Sequence, residues 1–369
     1  MILKFLKHCY IPDKIIGSKD NNMNYTSTYI NDLKISQDSV PNLKKIYNSN
    51  ILITGATGLV CSAIVDFILV LNDTVNANIK VYLAARTKEK ALQLFGNKLE
   101  RTDVIFVAYD ALKEIKWDYE LDYIIHGASP ANPSLYVKQP VETMLANIIG
   151  LKNILEYAVK KTVKRILFIS SSEVYGNKDN SNSYKETDYG FVDIVNPRAC
   201  YPSAKRACET LSVAYHDEYG INCVNVRLGH VYGPTATRSD TRASSQFFYD
   251  VIDAHDIIMK SNGLQKRSYC YVLDCVSAII TVLINGEVAT AYNISNSNSI
   301  VTIRQLAEMI ALVSGKQVKY INPTDIETKG YNLMSNSSLN SCLLEQLGWT
   351  GYFDLQTGVT HTFQILKGE

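Results

Sequence analysis

Tyr201 and Lys205 stand four residues apart in YPSAK (201–205), a spacing that puts both side chains on one face of a helix. An ammonium beside a phenol favours the phenolate. Such a pair can take the proton of an alcohol while a hydride leaves the same carbon. In a chain with 24 tyrosines one such pair is weak by itself. Upstream, however, ISSSEVYG (169–176) closes an apolar run with the hydroxyls of Ser171 and Ser172 and the carboxylate of Glu173. Further upstream, ILITGATGLVCSAIVDFIL (51–69) turns from an apolar run into a helical pattern through Gly55 and Gly58. A glycine turn in the context a dinucleotide loop requires, a Ser–Glu strand end and Tyr-x-x-x-Lys, in that order, are hard to obtain by accident.

Such groups need a rigid scaffold. ILITG (51–55), KVYLAAR (80–86), DVIFVAYD (103–110), DYIIHGAS (122–129), RILFISS (165–171) and NCVNVRLG (222–229) read as buried strands. Between them lie helical patterns such as 141–161 and 204–220. Near-continuous apolar strands alternating with helices predict an α/β fold, a doubly wound parallel Rossmann sheet. The expected cofactor domain covers residues 50–175 and 200–229, and a smaller C-terminal α/β substrate lobe covers 176–199 and 230–369. Residues 1–49, polar and rich in Asn, Ser, Lys and Tyr, read as an N-terminal extension.

Composition narrows the function classes. A net charge of +1 offers no electrostatic footprint for nucleic acid or an anionic membrane. No apolar run reaches the roughly 18 residues of a membrane span. MILKFLKHCYIP at the start is short, interrupted by charge and lacks a small-residue cleavage site. The expected location is therefore cytoplasmic. Eight scattered cysteines form no CxxC and no Cys/His cluster at metal-ligand spacing, so most read as small buried hydrophobes and no metal is expected.

The glycine loop departs from the full fingerprint, because Cys61 stands where a third glycine belongs. Gly55 makes the tight turn and Gly58 lets the backbone approach a pyrophosphate at the helix N-terminus. The third position serves helix–strand packing, and a cysteine fits there with slight displacement.

From about residue 50 to 369 the chain resembles extended short-chain dehydrogenases/reductases of the nucleotide-sugar epimerase/dehydratase type. HGASPANP (126–133), SSEVYG (171–176), DTRASSQF (240–247), RSYCYVLD (267–274) and LGW (347–349) are most similar to UDP-glucuronate decarboxylases. The resemblance implies a Rossmann domain binding NAD or NADP and a lobe closing on a nucleotide sugar. It implies Tyr201 as base, Lys205 on the nicotinamide ribose, and Ser171 or Ser172 on the reacting oxygen. Glu173 and Arg267 would take part in catalysis or substrate positioning. Cofactor contacts would come from Gly55, Thr57, Gly58, Leu59 and Val60, then from Arg86, from Asp110 and Ala111, and from Gly127, Ala128 and Ser129. Substrate contacts would come from Pro130, Glu173, His230, Arg242 and Arg267. A homodimer would pack helices 141–161 and 201–220 through Met144, Ile148, Leu211 and Tyr215.

The chemistry that follows is modification of a nucleotide-activated sugar through a transient ketone, as in a decarboxylase or epimerase supplying surface polysaccharide precursors. Where 4,6-dehydratases usually carry Asp–Glu this chain has Ser172–Glu173, and a serine cannot protonate a leaving hydroxyl at neutral pH. Arg86 ends the second strand with no acid beside it, which suits an NADP 2′-phosphate or an ordinary solvated arginine. His230 replaces an asparagine that contacts the diphosphate in the decarboxylases; it either takes over that contact or marks another substrate. Asp110 reads as an adenine contact or a loop cap, and His126 as a packing histidine. Two alternatives stand beside the leading reading: an NADPH-dependent reductase of a nucleotide-linked keto sugar, and a non-catalytic cofactor-binding protein.

Overall fold

The computed structural model describes residues 25–178, 182–324, 331, 332 and 334–369; MILKFLKHCYIP and Cys9 lie outside the described residues. After helix α1 (Ser27–Asp38) come β1 (Asn50–Thr54), α2 (Leu59–Val75), β2 (Lys80–Ala85), α3 (Lys88–Phe95) and β3 (Val104–Ala108). Next are β4 (Tyr123–His126), α4 (Pro133–Lys138), α5 (Pro140–Lys160), β5 (Arg165–Ser171), α6 (Cys200–Tyr219) and β6 (Cys223–Leu228). The remainder is β7 (His230–Tyr232), α7 (Ala243–Ile252), β8 (Ile257–Met259), β9 (Lys266–Tyr271), α8 (Val272–Asn285) and β10 (Ala291–Ile294). It ends with β11 (Ile300–Thr302), α9 (Ile303–Ser314), β12 (Val318–Tyr320), β13 (Asn336–Ser337), α10 (Cys342–Glu345) and α11 (Leu355–Lys367).

Seven strands form one parallel sheet in the order β3-β2-β1-β4-β5-β6-β10. The first six follow the dinucleotide-binding order, which reverses between β1 and β4 and opens a crevice at their carboxyl ends. Thr54 and His126 pair as the last residues of those two strands. The strands are buried on both faces because helices cover both. A smaller sheet holds β11, β9 and β13, with β7 also paired to β9. Of the seven described cysteines, all but Cys342 are buried.

Two boundaries differ from the sequence expectation. Helix α8 and strand β10, both beyond residue 230, belong to the cofactor layer. Helix α8 is buried from Val272 to Leu283, and a helix that is apolar all round has to be enclosed; β10 then extends the large sheet beside β6. The second half of the expected extension is also part of the body. Tyr29 and Leu33 of α1 are fully buried. Tyr25 and Tyr29 donate through their hydroxyls to Asp66 of α2. Asp32 accepts from the Tyr271 hydroxyl and pairs with His361 Nδ1. These buried polar groups are matched across long sequence separations, so burying them carries no large penalty.

Candidate active site

The turn after β1 is shaped by what cannot fit there. Gly55 has φ +70, and a Cβ on it would meet Gly127 O at 2.8 Å and Ala128 N at 2.9 Å. Only glycine allows the two loops at the head of the crevice to touch this closely. Gly58 begins α2 with no side-chain cap, which leaves the first amides of the helix, at Leu59 and Val60 beyond the half-buried Thr57, facing outward for an anion. Thr54 Oγ1 receives Ala128 N–H at 3.2 Å and meets His126 Nδ1 at 2.8 Å, so His126 does pack and orient the loop. Burial pushes its imidazole down to about 3.

Cys61 is accommodated by a glycine elsewhere. A Cβ on Gly127 would lie 2.4 Å from Cys61 Sγ, so the volume that a third loop glycine would leave is supplied from the opposite strand end. Gly127→Ala should destabilise the fold by roughly 1–3 kcal/mol through overpacking. Adding Cys61→Ala to that variant should recover most of the loss in a denaturant titration.

Residues at the other strand ends complete a dinucleotide cradle. Arg86 is exposed just past β2 and Ala111 half-buried past β3. Asp110 accepts from Leu112 N–H at 3.1 Å, capping the loop, and pairs with Lys113 at 3.8 Å. Past Gly127 and Ala128, Ser129 Oγ is buried without a partner, an orphan donor that a bound ligand would satisfy; Pro130 follows, half-buried. The open helix N-terminus, the close glycine contact and this unpaired hydroxyl fit an NAD or NADP pyrophosphate and nicotinamide. If Arg86 grips a 2′-phosphate, Arg86→Ala should weaken NADP by about 1.5–3 kcal/mol and NAD far less; equal losses in calorimetry would make it a plain surface residue.

The acid–base groups converge at the carboxyl end of β5. Tyr201 and Lys205 lie on the first turns of α6 and are 7% and 2% exposed. Lys205 Nζ donates to Ile169 O at 2.7 Å and lies 5.7 Å from the Tyr201 ring centroid. Burial pushes its ammonium down to about 8. Burial also pushes the Tyr201 phenol up to about 12, Glu173 adds to this, and the Ser171 and Tyr136 hydroxyls and Arg242 oppose it. In the chain alone, desolvation of the phenolate outweighs the contribution of Lys205, whose ammonium is anchored on the Ile169 carbonyl. Of the two serines, Ser171 is the one whose hydroxyl opposes the rise at Tyr201; it accepts from Glu173 N at 3.2 Å. Ser172 is buried in the turn.

Two residues at this site escaped the sequence reading. Arg198 donates to both carboxylate oxygens of Glu173, at 2.6 and 2.9 Å. Tyr136 of α4 stacks on Tyr201 with centroids 4.5 Å apart and planes at 12°. Arg198 stands three residues before Tyr201, after an Asn196 cap and Pro197 that start the helix, which is a signal the sequence does carry. Nothing local marks Tyr136.

Arg242 is bound to Asp240, Nε lying 2.9 Å from Oδ1. Arg267, 2% exposed on β9, donates only to the carbonyl of Lys266 and has no acidic partner among the described residues. His230 sits edge-on to Tyr269 with 5.7 Å between centroids. Burial, with Arg267 and Arg242, pushes it down to about 3, and its Nδ1 is buried without a partner. Arg267 and Arg242 both act on His230, Arg242 also acts on Tyr201, and Glu173 acts on Arg267, so these groups are electrostatic neighbours.

Residues 51–295 match the family described as NAD dependent epimerase/dehydratase. UDP-glucuronic acid decarboxylase 1 of Arabidopsis thaliana is 34% identical over 260 residues, 70% of this chain and 57% of that protein. The chain thus spans little more than half the length of that relative. UDP-glucuronic acid decarboxylase 1 of Xenopus tropicalis is 28% identical over 323 residues, 86% of this chain and 72% of the relative. The fold is shared with UDP-glucuronic acid 4-epimerase from Bacillus cereus, solved with UDP-glucuronic acid and NAD. Its TM-score is 0.72 at 20% identity, covering 86% of this chain and 99% of that one. The sheet order agrees with the shared fold, and the chain belongs to the NAD-dependent epimerase/dehydratase family.

Proposed function

We propose that this protein decarboxylates a nucleotide-activated uronic acid, best represented by UDP-glucuronate, through a transient ketone. Bound NAD supplies the hydride acceptor and, later in the same turnover, the donor. Tyr201 takes the proton of the sugar hydroxyl as the carbinol carbon is oxidised, with Ser171 hydrogen-bonded at the same oxygen. The ketone so formed is β to the carboxylate; carbon dioxide leaves as the electron pair of the broken C–C bond passes into an enolate. A proton from solvent then adds to the carbon that bore the carboxylate, and Tyr201 returns its proton when the ketone is reduced again.

The observation that carries the reading is the setting of Glu173. It is the carboxylate beside Tyr201, and both its oxygens accept from Arg198. Neither it nor the buried Ser172 is arranged as the acid that elimination of a hydroxyl requires. Arg267, buried without an acidic partner, supports an anionic substrate. Names of the relatives support the carboxylate-bearing sugar.

The exposed Arg86 favours a second reading, an NADPH-dependent reductase of a nucleotide-linked keto sugar. Cofactor accounting separates the two. A decarboxylase should convert many equivalents of sugar with catalytic NAD that is recovered unchanged, whereas a reductase would consume NADPH one for one.

The reading extends to assembly and place. Helices α5 and α6 leave Val141, Met144 and Val213 exposed, while Ile148, Leu211 and Tyr215 are partly buried against the core; this face suits a homodimeric four-helix bundle. Among the described residues no helix is long and apolar enough to cross a membrane. A cytoplasmic enzyme supplying an activated pentose for surface polysaccharides is consistent with these features.

A further inference from the structure

Glu173 presents a physical difficulty for any base at Tyr201. After burial, its charge is the largest influence holding the proton on the phenol. The other groups facing the phenol are the Ser171 and Tyr136 hydroxyls, Arg242, itself bound to Asp240, and the Lys205 ammonium. Arg198 meets Glu173 with both terminal nitrogens, at 2.6 and 2.9 Å, in the bidentate geometry that orients as well as compensates a carboxylate. Its guanidinium also lies 5.0 Å from the centroid of the Tyr136 ring, which is stacked on Tyr201. One side chain therefore braces both neighbours of the base. Its Nε is buried and unpartnered, so among the described residues the hydrogen bonds of the guanidinium are those to Glu173.

We propose that Arg198 is a positioning residue: it fixes the Glu173 carboxylate and compensates its charge beside the Tyr201 phenol, so that the phenol can act as base. This rests on the assignment of Tyr201 as the base for a nucleotide sugar. Without Arg198, an uncompensated carboxylate stands next to the phenol, the neutral phenol is favoured, and a higher pH is needed to reach the same fraction of phenolate.

The test is the pH dependence of kcat/KM of the full chain with NAD, on UDP-glucuronate, for wild type, Arg198→Gln and Arg198→Lys. In Arg198→Gln the acid limb should move alkaline by about 1 pH unit, and rates below the limb should fall about tenfold. Arg198→Lys keeps the positive charge and should bring the limb most of the way back. A limb in Arg198→Gln that coincides with wild type, whatever its loss of rate or melting temperature, overturns the inference and leaves the decarboxylase reading standing. A wild type that leaves UDP-glucuronate unchanged overturns both.

Discussion

Tyr201→Phe should cut turnover by roughly 10²–10⁴-fold, the usual contribution of a positioned base, while leaving fold and cofactor affinity nearly intact. The substitution removes one hydroxyl and keeps the ring that stacks on Tyr136 at 4.5 Å. The lost group interacts with Ser171, Tyr136 and Glu173, so the cost falls on proton transfer, not packing. Lys205→Ala is expected to act more broadly. That ammonium is buried, bonds the Ile169 carbonyl at 2.7 Å and lies over the Phe168 ring at 4.5 Å, so its removal should lower stability, cofactor affinity and turnover together. Comparing the two variants by calorimetric NAD titration and steady-state kinetics separates a pure base from a group that also binds.

Arg267→Met should show effects of opposite sign on stability and on activity. The guanidinium is buried on β9, meets a single backbone carbonyl and has no carboxylate partner among the described residues. Burying a charge without a counter-ion costs free energy, so an apolar chain of similar length should leave the melting temperature unchanged or raise it. The substrate anion loses its charged partner, at about 2–5 kcal/mol. That corresponds to a loss in kcat/KM of roughly 30- to 5,000-fold. Thermal unfolding and kinetics on the same preparation check both signs. A lower melting temperature with unaltered kcat/KM would make Arg267 a structural residue.

The sequence disclosed the sheet more fully than the site. Six strand segments were legible because parallel strands covered on both faces leave long runs such as ILIT and ILFIS, and the structure sets their ends within a few residues. Helix α1 was not legible, because much of its buried face is polar. Asp32, Ser36 and Gln37 look like surface residues until their partners are known: Tyr271 and His361, the Leu273 carbonyl and the Phe67 carbonyl, in that order. No local pattern can report a partner 30 to 329 residues away. The same limit hid Tyr136 and the matching of Cys61 to Gly127, since each depends on the approach of two loops through the fold. Tyr201, Lys205, Ser171 and Glu173 were legible because their spacing along strand ends and a helix face is itself local. Their electrostatics were not. Proximity of Lys205 suggested an acidic phenol, whereas burial, which depends on everything packed around it, dominates.

The central claim is that the ketone made at this site is used to release a carboxylate. Incubating the protein with UDP-glucuronate and catalytic NAD, and weighing the nucleotide sugar by mass spectrometry, tests it most directly. The account predicts a product lighter by the mass of carbon dioxide, with NAD recovered unchanged. A product of unchanged mass, lighter by one water, or heavier by two hydrogens would contradict it.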